Sequence, residues 1–253
     1  MELNKANRQV CDIDIRILKT MQPYLWFDTA NTTTTGLTSD SVYAMAKGSR
    51  RIAFANPLEG TLTIEAQVYP FKFFSLLSDG KLNNTAVYAE HRTIKATTAG
   101  ELPLAVTGGT VGSGSVFVYP AGSFGDESSM VAGTFANNKF TATTAADIAV
   151  DHEYEVGFVV NRSAGVKRIS FNNSDLPTDY YITMLTADKD EEGGLTTFLM
   201  TAYKACIQRN FELSFSSEGD PATVSLTFDL MEDKNGNILD FVEVESDIEI
   251  NPN

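Results

Sequence analysis

Cys11-Asp12-Ile13-Asp14-Ile15-Arg16-Ile17 alternates apolar and charged side chains one by one. A period of two marks an extended strand with one wet face, because successive strand side chains point to opposite sides. Ile13, Ile15 and Ile17 share one face; Asp12, Asp14 and Arg16 share the other. Cys11 is in phase with the isoleucines, so it reads as a buried thiol rather than a reactive one. Leu62, Ile64, Ala66 and Val68 repeat the pattern against Thr61, Thr63, Glu65 and Gln67. Phe211, Leu213 and Phe215 alternate with Asn210, Glu212 and Ser214, and Val224, Leu226, Phe228 and Leu230 with Ser225, Thr227 and Asp229. The turn-forming string Ser216-Ser217-Glu218-Gly219-Asp220-Pro221 separates these two runs, which predicts an antiparallel hairpin over them. Frequent β-branched threonine favours the same class. The expected fold is mainly β, an antiparallel β-sandwich.

One segment breaks the alternation. Pro70 to Gly80 starts with proline and ends with glycine, the asymmetry of a helix. Phe73, Phe74, Leu76 and Leu77 form its expected buried stripe, making one short helix flanking the sheet. Glycine and serine rise over residues 92–162, which reads as a β-rich insert. Its strands are expected at 115–119, 139–144 and 153–160, with Asn137-Asn138 as a hairpin turn. Residues 1–91 and 163–253 then form the main domain. Residues 29–41 hold Thr32, Thr33, Thr34 and Thr35 and read as a polar loop, either mobile or ordered by a partner. Tyr24-Leu25-Trp26-Phe27 reads as an interface or core strand. At the C-terminus, Phe241, Val242, Val244, Ile248 and Ile250 alternate with Glu243, Glu245, Asp247 and Glu249 or flank them. Residues 232–249 carry seven carboxylates and one lysine, net −6 of the chain's −14. A terminal strand with charge on one face suits a sheet edge that blocks aggregation or docks on a neighbouring subunit.

At 253 residues and 43% apolar, the chain is long and greasy enough for one large domain or two small ones. No apolar run approaches the roughly 20 residues that span a bilayer. Glu2, Asn4, Lys5, Asn7 and Arg8 do not make a secretory apolar segment. No membrane anchor is therefore expected. Cys11 and Cys206 are too few for a disulfide scaffold. A net charge of −14 suits phosphate gripping poorly, since that grip needs clustered Lys and Arg.

The usual chemistry is mostly missing. His91 and His152 are the only histidines. Ser123 lies in Gly122-Ser123-Phe124-Gly125, which lacks the spacing and the following helix of a nucleophile elbow. Residues 108–115 are glycine-rich but are followed by a strand-like run, not by Lys-Ser/Thr and a helix, so they read as a flexible turn. Asp147, Asp151, His152, Glu153 and Glu155 could seed a metal site. His152, however, alternates with Tyr154, Val156 and Phe158, which points it away from the carboxylates as a packed or half-buried residue. Asp233-Lys234-Asn235-Gly236-Asn237 has glycine and glutamate at the wrong places for a calcium loop, and Asn-Gly reads as a turn. Asp188-Lys189-Asp190-Glu191-Glu192-Gly193-Gly194 reads as a solvated acidic loop before a weak cation site. No catalytic, cofactor-binding or metal residues are assigned, and no cofactor is expected.

The late order of segments is more telling. Residues 174–182, the acidic loop, a strand at 196–201, then Asn210 to Ser217, the turn Glu218-Gly219-Asp220-Pro221 and Val224 to Leu230 resemble the major tail, or tail tube, proteins of tailed bacteriophages. Gly48-Ser49-Arg50-Arg51-Ile52-Ala53-Phe54, the run from Gly60 to Gln67 and the short helix fit the same plan. The resemblance covers roughly 42–80 and 166–241. It implies a β-sandwich that assembles into rings, commonly hexameric, stacked as a tube with DNA passing through as non-specific cargo. It implies further copies of the chain as partners, with tape-measure, terminator or sheath proteins. It implies a place in the virion tail after assembly in the bacterial cytoplasm, and no enzymatic role.

A carboxylate-lined channel would repel phosphates and let DNA slide. Glu243, Glu245 and Glu249 could equally sit outside and serve solubility. The contact residues expected from such assembly are Thr32, Thr33, Thr34, Thr35, Arg50, Arg51, Phe241, Val242, Val244, Ile248 and Ile250. Arg50 and Arg51 either pair with acids of an adjacent copy or simply solvate a hairpin. Three other classes stay open: another virion β protein, such as a capsid decoration or fibre-associated part; a carbohydrate-binding β-sandwich; and an enzyme of unknown type, since carboxylate pairs are invisible without a fold.

Overall fold

The computed structural model of the chain describes residues 4–213, 218–219 and 221–244. The chain is mainly β and antiparallel, with one short flanking helix, as the alternation predicts. It divides into two compact units, Met1–Lys81 with Ser170–Asn253, and Leu82–Ile169. The first unit starts with β1 (Lys5–Asn7), β2 (Asp12–Ile17), β3 (Pro23–Phe27), β4 (Thr32–Thr38), β5 (Ser41–Ala46), β6 (Ser49–Ala55) and β7 (Glu59–Ala66). The second holds β8 (Ala86–Lys95), β9 (Glu101–Pro103), β10 (Gly109–Val111), β11 (Phe117–Pro120), β12 (Gly133–Ala136), β13 (Lys139–Ala142) and β14 (Glu153–Arg162). The chain then returns to the first unit for β15 (Tyr180–Asp190), β16 (Leu195–Ile207), β17 (Val224–Met231) and β18 (Leu239–Val244).

In the first unit one sheet runs β3-β2-β15-β16-β17-β7-β4, with β1 beside β15 and β18 beside β16. Its inward residues are those the alternation named: Ile13, Ile15, Leu62, Ile64, Leu226 and Phe228 are all buried. Each such side chain contributes about 1.5–3 kcal/mol when taken out of water. Thr35 Oγ1 on β4 lies 3.8 Å from Met184 Sδ on β15, so the end strand faces the middle of the same sheet across the core. The sheet thus folds over itself into two layers. A seven-residue 3-10 helix, Phe71–Leu77, closes one end of this core. Phe73 stacks on Phe27 at 4.7 Å, and Lys72 donates to the Tyr24 carbonyl at 2.5 Å.

The long β15–β16 hairpin organises the unit. β2 and then β1 share the outer edge of β15, while β17 and β18 share the outer edge of β16 end to end. In the second unit β14 pairs with β8 along all ten residues of both strands. β10 and β11 share its other edge. A second sheet, β12-β13-β9, encloses with it a separate core of Leu102, Val118, Phe140, Tyr154, Val156 and Phe158. The expected insert, 92–162, lies inside this unit, which takes in all of β8 because β8 is zipped to β14.

Several local expectations fail for physical reasons. Residues 29–41 are not a loop: β4 pairs with β7 from Thr32 to Thr38, and its β-branched side chains suit that role. Among the described residues the predicted hairpin over 210–215 and 224–230 is not formed. β17 instead pairs with β7 and β16, and the row continues from Gln208 N to Thr227 O. Asn210 to Leu213 carry no strand, and Phe215 lies outside the described residues. Alternation marks a strand face but does not name its partner. Val68 is exposed because β7 stops at Ala66. Phe73, Leu76 and Leu77 are buried as expected, while Phe74 is half-buried and packs at the edge of the core against Tyr69, Phe71 and Phe211. Residues 109–111 form β10 rather than a flexible turn, and the following strand starts at Phe117. The Asn235-Gly236 turn forms, with Gly236 at φ 83°, yet β17 and β18 both pair with β16 and not with each other.

Candidate assembly surface

β5 and β6 form a hairpin closed by Lys47 and Gly48, both at positive φ (49° and 77°). That two-residue geometry matches the twist of paired strands. Val42 faces Phe54 and Ala44 faces Ile52, so these four line one side of the hairpin. Arg50 lies 4.2 Å over the Tyr43 ring on the other side. Ser39 Oγ donates to Asn56 O, and Asn56 N to Asp40 O, tying the base together. Every residue of both strands is exposed. Ile52 and Phe54 are 56% and 58% exposed, values far from any core position. Among the described residues no third strand pairs with the hairpin. A lone two-stranded hairpin is marginal in water.

Thr32, Thr33, Thr34 and Thr35 sit at the sheet's end on β4, whose outer edge has no partner strand among the described residues. Thr33 and Thr35 turn inward and are half-buried, while Thr32 and Thr34 are exposed. The opposite end of the sheet is β3, where Trp26 is 55% exposed. A sheet with two open ends offers backbone donors and acceptors to another chain.

Phe241, Val242, Glu243 and Val244 lie on β18, against Met200, Leu199, Phe198 and Thr197 of β16. Phe241 stacks on Phe198 at 5.6 Å. Glu243 forms an ion pair with Lys5, linking β18 to β1. Tyr203 donates to Asp240 at 2.5 Å, and that bond pushes its hydroxyl up to about 12. Thr32 to Thr35 lie in the large sheet and Arg50 and Arg51 in the separate β5–β6 hairpin, and β17 and β7 separate β4 from β16, the strand that holds β18. Glu245, Ile248, Glu249 and Ile250 lie outside the described residues, as does Asp220. Gly219 has φ 95°, and Pro221 is exposed ahead of β17. The described part of the Glu218 turn leads into β17.

The remaining candidates do not converge. His152 is exposed at a turn, contrary to the packed position expected from alternation, because β14 begins only at Glu153. His91 rests on Phe124 at 4.4 Å. Asp190 accepts from the amides of Glu192 and Gly194, and Asp233 from those of Asn235 and Asn237. The backbone amide of Asn237, donating to its carboxylate, holds Asp233 below the usual carboxylate range. Among the described residues no three His, Cys, Asp or Glu side chains gather as a metal-binding group, and no helix is long and apolar enough to cross a membrane.

Attention to the charged Arg50 and Arg51 misses the apolar residues beside them. Val42, Ala44, Ile52 and Phe54 alternate on either side of a Lys-Gly turn, so the hairpin itself was detectable. Its exposure depends on the missing third strand, which no local pattern records. The model of the YomU/Tube protein family matches residues 8–244 of the chain. No curated protein matches it.

Proposed function

The chain belongs to the YomU/Tube protein family, a phage-associated family of tube proteins, and on that premise we propose that it is the major structural subunit of a phage tail tube. Copies assemble into rings of six, the rings stack, and DNA passes through the channel as non-specific cargo. The observation that carries this reading is the β5–β6 hairpin, which holds Val42, Ile52 and Phe54 in water with no covering layer. Covering each such side chain contributes about 1.5–3 kcal/mol, enough for a few of them to drive association once orientational costs are met. The open sheet ends at β3 and β4 supply the second ingredient. Head-to-tail contacts between unlike surfaces close into a ring when the rotation allows it.

In this reading Thr32 to Thr35, Arg50, Arg51 and the C-terminal residues 241 to 250 are contact residues. The acidic surface keeps phosphates from sticking. The protein works in the virion tail, assembles in the host cytoplasm, and meets tape-measure, terminator or sheath proteins at the tube's ends and outside. Negative-stain microscopy of the purified protein tests this directly. Six-fold rings or tubes are expected, and labelled antibody should bind along the tail shaft. Labelling confined to the head or the fibres would overturn the assignment. Deleting 242–253 should abolish polymerisation while leaving circular dichroism of the free chain unchanged; tubes formed by the truncated protein would remove the terminal strand from the interface.

A further inference from the structure

The second unit contains six lysines and arginines: Arg92, Lys95, Lys139, Arg162, Lys167 and Arg168. Three of them reach carboxylates, Arg92 at Glu90, Lys95 at Asp151 and Lys139 at Glu101. Arg162, Lys167 and Arg168 reach none among the described residues, and all three lie at one end of the unit. The segments that build this end, residues 82–89, 107–112 and 158–169, contain no Asp or Glu. A chain with net charge −14 thus keeps one pole that is basic and unneutralised. The net figure conceals it.

The pole is concave. A pocket of about 370 Å³ is lined by Thr85, Thr110, Asn161, Arg162, Ser163 and Arg168, with neighbouring backbone. The register of the sheet makes room for it. Arg162 ends β14 between Ala86 on one side and Gly109 on the other, two of the smallest residues. A Cβ on Gly109 would lie 2.8 Å from Asn161 O and 3.0 Å from Arg162 Cγ, so only glycine lets the arginine lie there. Arg162 is half-buried, and its Nη1 donates to Thr107 O at 3.1 Å, which fixes the guanidinium. That carbonyl is its one acceptor among the described residues, although a guanidinium carries five N–H donors. Arg168 is held from behind. Its backbone exchanges two hydrogen bonds with Asn83, 2.9 and 2.7 Å, while its side chain is exposed without an acceptor among the described residues.

We propose that this pocket of the second unit binds a phosphate group. Two guanidiniums without carboxylate partners offer paired N–H donors to a tetrahedral oxyanion. The hydroxyls of Thr85, Thr110 and Ser163 and the amide of Asn161 supply neutral donors around them. The volume exceeds that of a bare phosphate, so the group's carrier fits as well. The site owes nothing to the assembly surface, and its fate is separate from that of the tube reading.

Calorimetric titration of the full chain at low ionic strength tests it, with inorganic phosphate and dimethyl phosphate as probes. One saturable site is expected, with a dissociation constant of about 1 mM or tighter. Binding of inorganic phosphate alone marks a free or monoester phosphate as the ligand; binding of dimethyl phosphate as well marks a phosphodiester. R168Q should weaken binding about tenfold, since a charge-assisted pair is lost. Because Arg168 is exposed, this variant keeps the fold even where R162Q does not. K95Q removes a cation of the same unit that already has a carboxylate partner, and should leave affinity unchanged. Absence of saturable heat with both probes, an R168Q titration like that of the unaltered chain, an equal loss in K95Q, or equal binding of acetate would each overturn the site.

Discussion

Two hairpins of this molecule share a turn and differ in everything beyond it. β5–β6 closes through Lys47 and Gly48, and β12–β13 through Asn137 and Asn138, with all four residues at positive φ. Both place apolar residues across from each other, Val42 with Phe54 in one and Phe135 with Phe140 in the other. Yet β13 pairs with β9, and Phe140 is 2% exposed within a core, while Phe54 is 58% exposed. The local code makes a hairpin in both cases. Only the added strand and the facing sheet decide whether its apolar side is finished within one chain.

Substitutions can sharpen that contrast, and they are best ordered by their effect on the free chain. Phe140→Ala should cost about 3–5 kcal/mol, because it removes a buried ring and leaves a cavity; denaturant unfolding of the second unit measures it. The next effect comes from the covered core of the first unit. Burial, with help from the Asp12 charge, pushes the Cys11 thiol from 9.0 up to about 11. Between those values the unfolded chain gives up a proton that the folded chain keeps, so stability falls as pH rises through that window. The loss is about 2–3 kcal/mol, and Cys11→Ala should flatten the profile between pH 8 and about pH 11. The smallest effect on the free chain belongs to Val42→Ser combined with Phe54→Ser. Exposed positions shift stability by about 0.5 kcal/mol or less, so unfolding should be unchanged while ring formation in micrographs is lost. Intact rings from this variant would show that the uncovered hairpin is not the contact.

The strands with one fully buried face were readable in advance. Ile13 and Ile15, Leu62 and Ile64, and Leu226 and Phe228 alternate without exception, and all point into the core. Turns with their own backbone chemistry were readable too, as Asn137-Asn138 shows. What escaped were features set by distant partners. Thr32 to Thr35 look like loop residues because their inward side is only half-buried, and their order comes from β7, more than twenty positions away. Phe211 and Leu213 alternate well, but the pairing from β16 along β17 runs only as far as the Gln208–Thr227 bond, so alternation named a face and not a partner. The basic pole was hidden by arithmetic, since the acids of the first unit dominate the sum. Its three cations, Arg162, Lys167 and Arg168, are close in sequence, but the acid-free strands beside them come from separate segments that the sheet register brings together.

The thirteen-residue strand β16 has mechanical consequences. At about 3.3 Å per residue it runs roughly 43 Å, far longer than an average strand. One half is bonded to β17 beside the main core, and the other half carries β18. A pull along its axis would load the ladder rungs to β17 in shear, all together, rather than peeling them off in turn. The strand therefore behaves as a tie rod: tension applied at its far end is resisted by the whole width of the sandwich.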